Sequence, residues 1–470
     1  MTSPTAEPLS FPRAILFAVA AVICFHAAYS LDRFVAPQLL ILGYPVCLTQ
    51  LARLNSTRQS FYLSLSAAYL CFAPQLVFFW SIFGGPAIVL WLILALWIAL
   101  DVVLTQLTLA RFGVKITAAL IPFLWMGLEY TRSELYYLKF SWLNISYALS
   151  GWDEPLLPLF GMYGVGFLAA ALAAAWLLFR PGAAIAIVAF VVMAILRLAI
   201  PKTEPSDGNP DLRIAGVQLE FPSATTIRSA LDQLIVSHPD ANLIVLSEYS
   251  LDGPPPDWLR AWCKKSGHYL IVGGKDAAGN GNYFNTAFVV GPAGEVIFQQ
   301  AKSVPIPLFA DGLPARQQAV WDSPWGRIGI CICYDLSYTR VTDELIRQGA
   351  QLLVVPTMDV TDWGAQEHMA NARVAPVRAA EYGVPIFRLA SSGISQAVDQ
   401  RGQIISRAAF PGEGETLFAA FRLPAKGALP LDRWLAPFSV IVVATVSLIH
   451  LFWRWFPNRV VDALGVQRSA

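Results

Sequence analysis

The chain has 470 residues, of which 56% are hydrophobic and 14% charged, with mean hydropathy +0.52; an ordinary soluble domain carries about 25% charged residues. That composition excludes a typical soluble protein and implies an integral membrane protein. A net charge of +1 without a polybasic cluster excludes the electrostatic footprint of a nucleic-acid partner.

Apolar content is uneven along the chain. Long apolar runs fill residues 1–201 and 434–456, whereas 210–425 read as a soluble domain long enough for one large core. A span needs about 20 mostly apolar residues. Eight are predicted, at about 14–31, 35–54, 61–82, 87–110, 115–133, 159–179, 183–200 and 434–455. The first resembles a signal peptide, with Arg13 ahead of it and Ala28-Tyr29-Ser30 at its end. Because seven further spans follow, an uncleaved anchor is expected. Lysine and arginine in the short loops set the orientation. With a cytoplasmic N-terminus, Arg13, Arg53, Arg58, Arg111, Lys115, Arg180, Arg454, Arg459 and Arg468 fall inside, and Arg33, Arg132, Lys139 and Lys202 outside. Seven crossings then place 210–425 outside the cytoplasm, and the eighth span returns the tail 457–470 to it.

Between the fifth and sixth spans lies Phe140-Ser141-Trp142-Leu143-Asn144-Ile145-Ser146-Tyr147, followed by Trp152-Asp153-Glu154-Pro155. Tryptophan and tyrosine favour the headgroup zone, so the stretch reads either as an interfacial belt or as a loop lining lipid entry. In the second case Trp142 and Asn144 are candidate substrate contacts. Asp101 and Glu129 fall within or near spans, where charge is costly and often functional. The ordinary alternatives are that Asp101 faces a neighbouring helix and that Glu129 pairs with Arg132.

Residues 202–209 form a linker rich in proline, glycine and polar residues. Short apolar strands then alternate with helical stretches. Strands are predicted at Leu212–Gln218, Leu243–Leu246, Tyr269–Gly273, Asn285–Val290, Glu295–Phe298, Arg327–Ile332 and Gln351–Val355, and helices near Thr225–Ser237, Pro256–Lys265 and Thr339–Gln348. Gly291-Pro292-Ala293-Gly294 and Asp399-Gln400-Arg401-Gly402 read as hairpin turns. This alternation predicts an α/β layer structure with functional groups at strand ends.

Three residues leave such strands at their C-terminal ends: Glu248, Lys302 and Cys333. Together they supply a base, a cation for an oxyanion and a thiol nucleophile, the set that acyl transfer through a covalent intermediate needs. Singly, each has an ordinary reading as a solvated strand end, a surface charge and a core thiol. Cys24, Cys47 and Cys71 lie in apolar runs and Cys263 stands alone. Cys331 and Cys333 have a C-x-C spacing that suits neither zinc nor a disulfide. On a continuous strand these two share one face, so alternation does not choose between them; strand-end position favours Cys333. The following Tyr334-Asp335 can offer a backbone N–H to an oxyanion and a carboxylate to the lysine.

The order Leu246-Ser247-Glu248-Tyr249, Tyr283-Phe284-Asn285-Thr286-Ala287, Gly291–Val296, Lys302 with Pro305, and Gly329–Asp335 resembles the nitrilase (carbon–nitrogen hydrolase) superfamily, whose triad is Glu-Lys-Cys. Seven spans before the domain and one after, together with Phe140–Tyr147 and Phe160–Phe167, resemble the bacterial apolipoprotein N-acyltransferases within it. The resemblance implies a polytopic α-helical membrane domain of about eight spans, joined to an extracytoplasmic nitrilase-like αββα sandwich. It also implies the roles. Glu248 deprotonates Cys333, the thiolate attacks a phospholipid ester, and Lys302 with the Tyr334 N–H holds the oxyanion. The resulting thioester is then passed to the N-terminal amine of a diacylglyceryl-cysteine lipoprotein. No cofactor or metal is implied, and the partners are the phospholipid donor, the lipoprotein acceptor and membrane lipid, with no nucleic acid and a monomeric enzyme. The location implied is the bacterial inner membrane, with the catalytic domain periplasmic.

Three positions depart from the family pattern. The glutamate usual shortly after the lysine is absent, and Asp311 is the nearest carboxylate. Asp335 stands where the acyltransferases commonly have glutamate. Met358-Asp359-Val360-Thr361-Asp362-Trp363-Gly364 replaces an Asn-Asp-x-Trp-Phe-Gly stretch and lacks its asparagine. Residues 305–314 and Trp363 are candidates to cover the cleft. The alternatives on the same triad are a membrane-anchored amidase or an acyltransferase with another amine acceptor; the non-enzymatic one is a degenerate lipid- or lipoprotein-binding protein.

Overall fold

The computed structural model describes residues 7–30, 35–150, 155–178 and 212–455. The predicted seventh span, the linker 202–209 and the tail 457–470 lie outside the described residues. Four helices among those described are long and apolar enough to cross a membrane: Phe11–Ser30, Pro86–Leu135, Leu157–Leu178 and Asp432–Trp455. Pro86–Leu135 covers both stretches predicted at 87–110 and 115–133, and its helical geometry breaks between them at Gly113, where φ is 73°. That conformation suits glycine, which has no Cβ to strike the neighbouring carbonyl.

The stretches predicted at 35–54 and 61–82 are segmented. The first is a short helix Val35–Gln38, a 3₁₀ turn Leu39–Leu42 and a helix Gly43–Leu51. The second is a helix Thr57–Gln75 followed by Phe78–Phe83. Pro74 explains part of this, since it has no N–H to offer the Leu70 carbonyl. The His26 Nε2 lies 2.9 Å from that oxygen instead.

The α/β region contains twelve strands: β1 (Leu212–Val217), β2 (Leu243–Val245), β3 (Tyr269–Gly279), β4 (Asn282–Val290), β5 (Val296–Ala301), β6 (Val320–Ser323), β7 (Gly326–Ile330), β8 (Leu352–Thr357), β9 (Ile386–Ala390), β10 (Gln396–Val398), β11 (Ile404–Arg407) and β12 (Thr416–Phe421). They form two six-stranded sheets, ordered β12-β1-β2-β3-β4-β5 and β11-β10-β9-β8-β7-β6. The centre of each is parallel, β1-β2-β3 in one and β7-β8-β9 in the other. Strand alternation sorts the two faces. Ile214, Leu243, Val245 and Ile271 join one core with Ile328, Ile330, Leu353 and Leu389 of the other sheet. Ala215, Ile244, Leu246 and Val272 turn the other way, onto Ile227, Leu231 and Leu234 of helix Ala224–Ser237 and Leu259 of helix Asp257–Ser266.

The α/β region is tied to the apolar helices through buried charge, which is tolerated inside a protein only when paired. Arg378 Nη1 lies 2.6 Å from Glu381 Oε2, and Glu381 Oε1 accepts the Met162 N–H at 2.9 Å from helix Leu157–Leu178. Arg433 pairs with Asp343, Asp432 and Glu381 at 2.7, 2.6 and 3.1 Å. Arg378 also donates to the carbonyls of Leu336 and Ser337, at 3.1 and 2.7 Å. Those carbonyls belong to the turn that begins at Cys333.

Candidate active site

Glu248 follows β2, Lys302 follows β5, and Met358 and Asp359 follow β8. The ends of β2 and β5 share one edge of their sheet because β2 and β3 run parallel, while β4 reverses direction and β5 restores it; the end of β8, in the other sheet, meets them through Met358. Gly273 on β3 makes room for the glutamate: a Cβ there would lie 2.6 Å from the Glu248 Cα.

At that edge the Lys302 ammonium, fully buried, lies 2.9 Å from Glu248 Oε1 and 2.7 Å from Asp311 Oδ2. The Asn285 amide donates to both carboxylates, at 2.6 Å to Glu248 and 2.9 Å to Asp311. Asp311 further accepts the Tyr249 hydroxyl and the Ile306 N–H, each at 2.8 Å. Burial raises the Glu248 carboxyl above the ordinary carboxylate range; Lys302 offsets part of this and Asp311 adds to it. Burial alone would lower the Lys302 ammonium, but Asp311 and Glu248 outweigh it and hold the group charged, well above the usual lysine value. Burial likewise opposes ionisation of Asp311, and Lys302 reverses that and holds it low.

Cys333 is buried, and its Sγ lies 3.9 Å from the Met358 carbonyl. The N–H of the same Met358 donates to Glu248 Oε2 at 2.8 Å. Burial pushes the Cys333 thiol well up, with Glu248 adding and Lys302 opposing, so the resting group is a thiol rather than a thiolate. Its φ is 49°, a left-handed backbone seldom adopted by a residue with a side chain. This corrects the expectation that Cys331 and Cys333 share a strand face. β7 ends at Ile330, Cys331 stays in the core, and the chain turns sharply at Cys333.

Asp335 also differs from expectation. Its carboxylate does not hydrogen-bond the lysine but accepts the N–H groups of Ser303, Val304 and Ile332, at 3.0, 2.7 and 3.3 Å. It clamps the segment after Lys302 to the turn that carries Cys333. Burial raises it to about 6, with Lys302 opposing.

Beside this cluster lies an apolar cavity of about 100 Å³. Ile82, Phe83, Ile93 and Leu94 line it from the apolar helices, and Trp142, Leu308, Phe309, Tyr334 and Trp363 from the side of Cys333. Trp142 is fixed by its Nε1–H donating to Ser337 Oγ at 2.9 Å, and the Tyr334 hydroxyl donates to the Lys139 carbonyl at 2.7 Å. Trp142 and Trp363 thus both line the cavity. Asn144 does not: it is fully buried, its carbonyl accepts the Tyr29 hydroxyl at 2.7 Å, and its side chain accepts from Arg132. The expected substrate contact at Asn144 is therefore corrected to a structural one. Asp101 and Glu129 line a separate cavity of about 20 Å³ with Arg132.

Residue-by-residue reading passed over Asn285 and Glu367. Asn285 lies within Tyr283-Phe284-Asn285-Thr286-Ala287, yet an amide on an apolar strand carries no charge to mark it. Glu367 sits in Ala-Gln-Glu-His, which reads as the solvated start of a helix, but it is buried at the cavity wall.

A carbon–nitrogen hydrolase family model matches residues 224–429, and a model of the apolipoprotein N-acyltransferase N-terminal domain matches 20–175. An apolipoprotein N-acyltransferase of Shewanella oneidensis is 26% identical, over 83% of this chain and 87% of that protein. One from Geobacter metallireducens is 24% identical, over 60% of this chain; the chain spans 64% of that relative's length. The omega-amidase NIT2-B of Xenopus laevis is 26% identical over 36% of this chain and 67% of its own length. The α/β region matches the carbon–nitrogen hydrolase superfamily and is joined here to apolar helices whose N-terminal part matches the acyltransferase model. Amidase relatives match only part of the chain. With the N-terminal region matched as well, the chain is similar to apolipoprotein N-acyltransferases along most of its length.

Proposed function

We propose that this chain moves a fatty acyl group from a phospholipid, through a thioester on Cys333, to the N-terminal amine of a diacylglyceryl-cysteine lipoprotein. The observation that carries this is the adjacency of the Glu248–Lys302–Asp311 cluster and Cys333 to an apolar cavity walled by the long apolar helices. An amidase acting on a small polar substrate has no use for such a wall.

Glu248, made more basic by burial, takes the Cys333 proton as the sulfur attacks the ester carbonyl. The oxyanion forms beside the Lys302 ammonium and the Tyr334 N–H, and its collapse expels the lysophospholipid alkoxide, which takes the proton back from Glu248. The lipoprotein amine then attacks the thioester, Glu248 accepts the amine proton, and the departing sulfur is reprotonated as the amide forms. The acyl chain next to the ester lies between Ile93, Leu94 and Trp363. The protein acts as a monomer in the bacterial inner membrane, with residues 1–201 and 434–456 in the bilayer, 202–209 as linker and 210–425 on the periplasmic face. The larger set of arginines and lysines in the loops of cytoplasmic parity supports that orientation.

The test is the fate of the acyl group. Purified protein preloaded from radiolabelled phospholipid is given a diacylated lipopeptide with a free amine. Label should appear as an amide on the peptide; release only as free fatty acid would assign the protein to the hydrolases.

A further inference from the structure

Glu367 is 2% exposed and lines the apolar cavity, yet its Oε2 has no hydrogen-bond partner among the described residues. Its Oε1 receives only a long contact from the Asn371 amide, 3.5 Å. The adjacent His368 Nε2 is 3.7 Å from Oε2 but 2.9 Å from the Val360 carbonyl, so the imidazole does not complete the carboxyl's bonding. A buried polar oxygen without a partner is costly and rarely left so unless a ligand completes it.

The surroundings narrow the ligand. Among the described residues lining this cavity Glu367 is the only carboxylate. Trp363 and Phe309 meet edge to face at 6.0 Å, and Trp142 and Tyr334 at 5.8 Å. A single carboxyl among aromatic faces suits an alkylammonium, which gains an ion-paired hydrogen bond and cation–π contact together. Lys302 cannot serve as that cation, since Glu248 and Asp311 already hold it. Lys139 on the cavity wall is the complementary group for an anion such as a phosphate.

We propose that Glu367 receives a primary ammonium group of a substrate, resting on the acyl-transfer reading above. Two substrates of that reaction can carry one: the headgroup of the donor lipid or the terminal amine of the acceptor.

The experiment compares the full chain and its Glu367→Gln variant in detergent micelles. Acylation is followed from phosphatidylethanolamine and from phosphatidylglycerol of identical acyl chains, and transfer to a diacylated lipopeptide is followed separately. If the donor headgroup is bound, the preference for phosphatidylethanolamine over phosphatidylglycerol falls about 10- to 100-fold in the variant, the worth of a charge-assisted hydrogen bond. If the acceptor amine is bound, that preference stays and the transfer rate relative to acylation falls by the same factor. Ratios within twofold of wild type in both comparisons would overturn the proposal, and a partial loss of folded protein cancels from each ratio. Should Glu367→Gln not purify folded, Glu367→Asp withdraws the charge by one methylene and carries the same comparison. Absence of any adduct on the wild-type protein from either lipid is a separate result, and it would remove the acyl-transfer reading itself.

Discussion

Lys302 Nζ lies 2.7 Å from Asp311 Oδ2, closer than the 2.9 Å that separates it from Glu248 Oε1. The lysine is therefore shared by two carboxylates, with Asn285 bonded to both. Asp311 competes for the cation that would otherwise quiet Glu248, and it also repels charge on Glu248. The shorter aspartate reaches the lysine from its displaced position because its other contacts, Tyr249 and the Ile306 N–H, draw the loop inward.

Asp311→Asn should lower the rate of Cys333 acylation and move its acid limb to lower pH, because Glu248 loses a repelling neighbour and becomes a weaker base. Loss of buried charge-assisted contacts should also cost about 1–3 kcal/mol of stability. The pH profile of acylation, with the apparent melting temperature, checks both; an unmoved limb would show that Asp311 does not act through Glu248.

Lys302→Met should shift the same limb the opposite way. Without the ammonium, the Glu248 carboxyl rises further and must ionise at higher pH before it can take the thiol proton. Loss of oxyanion stabilisation should lower the acylation rate by about 10²–10³ while lipid binding persists. Equal losses in binding and rate would point to a misfolded site.

Asp335→Asn should destabilise the protein, since an amide has one acceptor oxygen for three N–H groups. The pH dependence has a definite sign. The folded value, about 6, lies above the 3.8 of an ordinary aspartate, so this group's contribution is fully present below pH ~4 and is lost as pH rises through 6. The melting-temperature deficit of the variant should accordingly be largest near pH 4 and smaller at pH 7. A deficit that grows with pH would contradict this assignment.

Ile93→Trp fills the cavity from the helix side, opposite Trp363. Acylation from long-chain phospholipids should slow about tenfold relative to short-chain ones, as overpacking an apolar site costs about 1–3 kcal/mol. Equal slowing for every chain length would place the acyl chain elsewhere.

The layered architecture was legible because the strands at 243–245 and 352–357 open as apolar runs that lead into polar turns. Glu248 and Lys302 drew attention for the same reason. β9 escaped because Arg388 interrupts Ile-Phe-Arg-Leu-Ala; in the fold that arginine is buried, paired with Asp359 at 2.7 Å. Cys333 could not be told from Cys331 by alternation, since the positive φ that separates them leaves no trace in residue pattern. Asn144 was misread because an amide beside tryptophan looks interfacial, whereas its partners Tyr29 and Arg132 are distant in sequence. Helix segmentation at 35–54 and 61–82 was hidden because hydropathy records apolar length and not backbone geometry.

The central claim is a covalent acyl group on Cys333. Purified protein incubated with a phospholipid of defined acyl chain, then examined by intact mass and peptide mapping, should gain one acyl mass at Cys333. Hydroxylamine should remove it, and Cys333→Ala should abolish it while Cys331→Ala retains it. An adduct that survives in Cys333→Ala, or none on folded wild-type protein, would contradict the account.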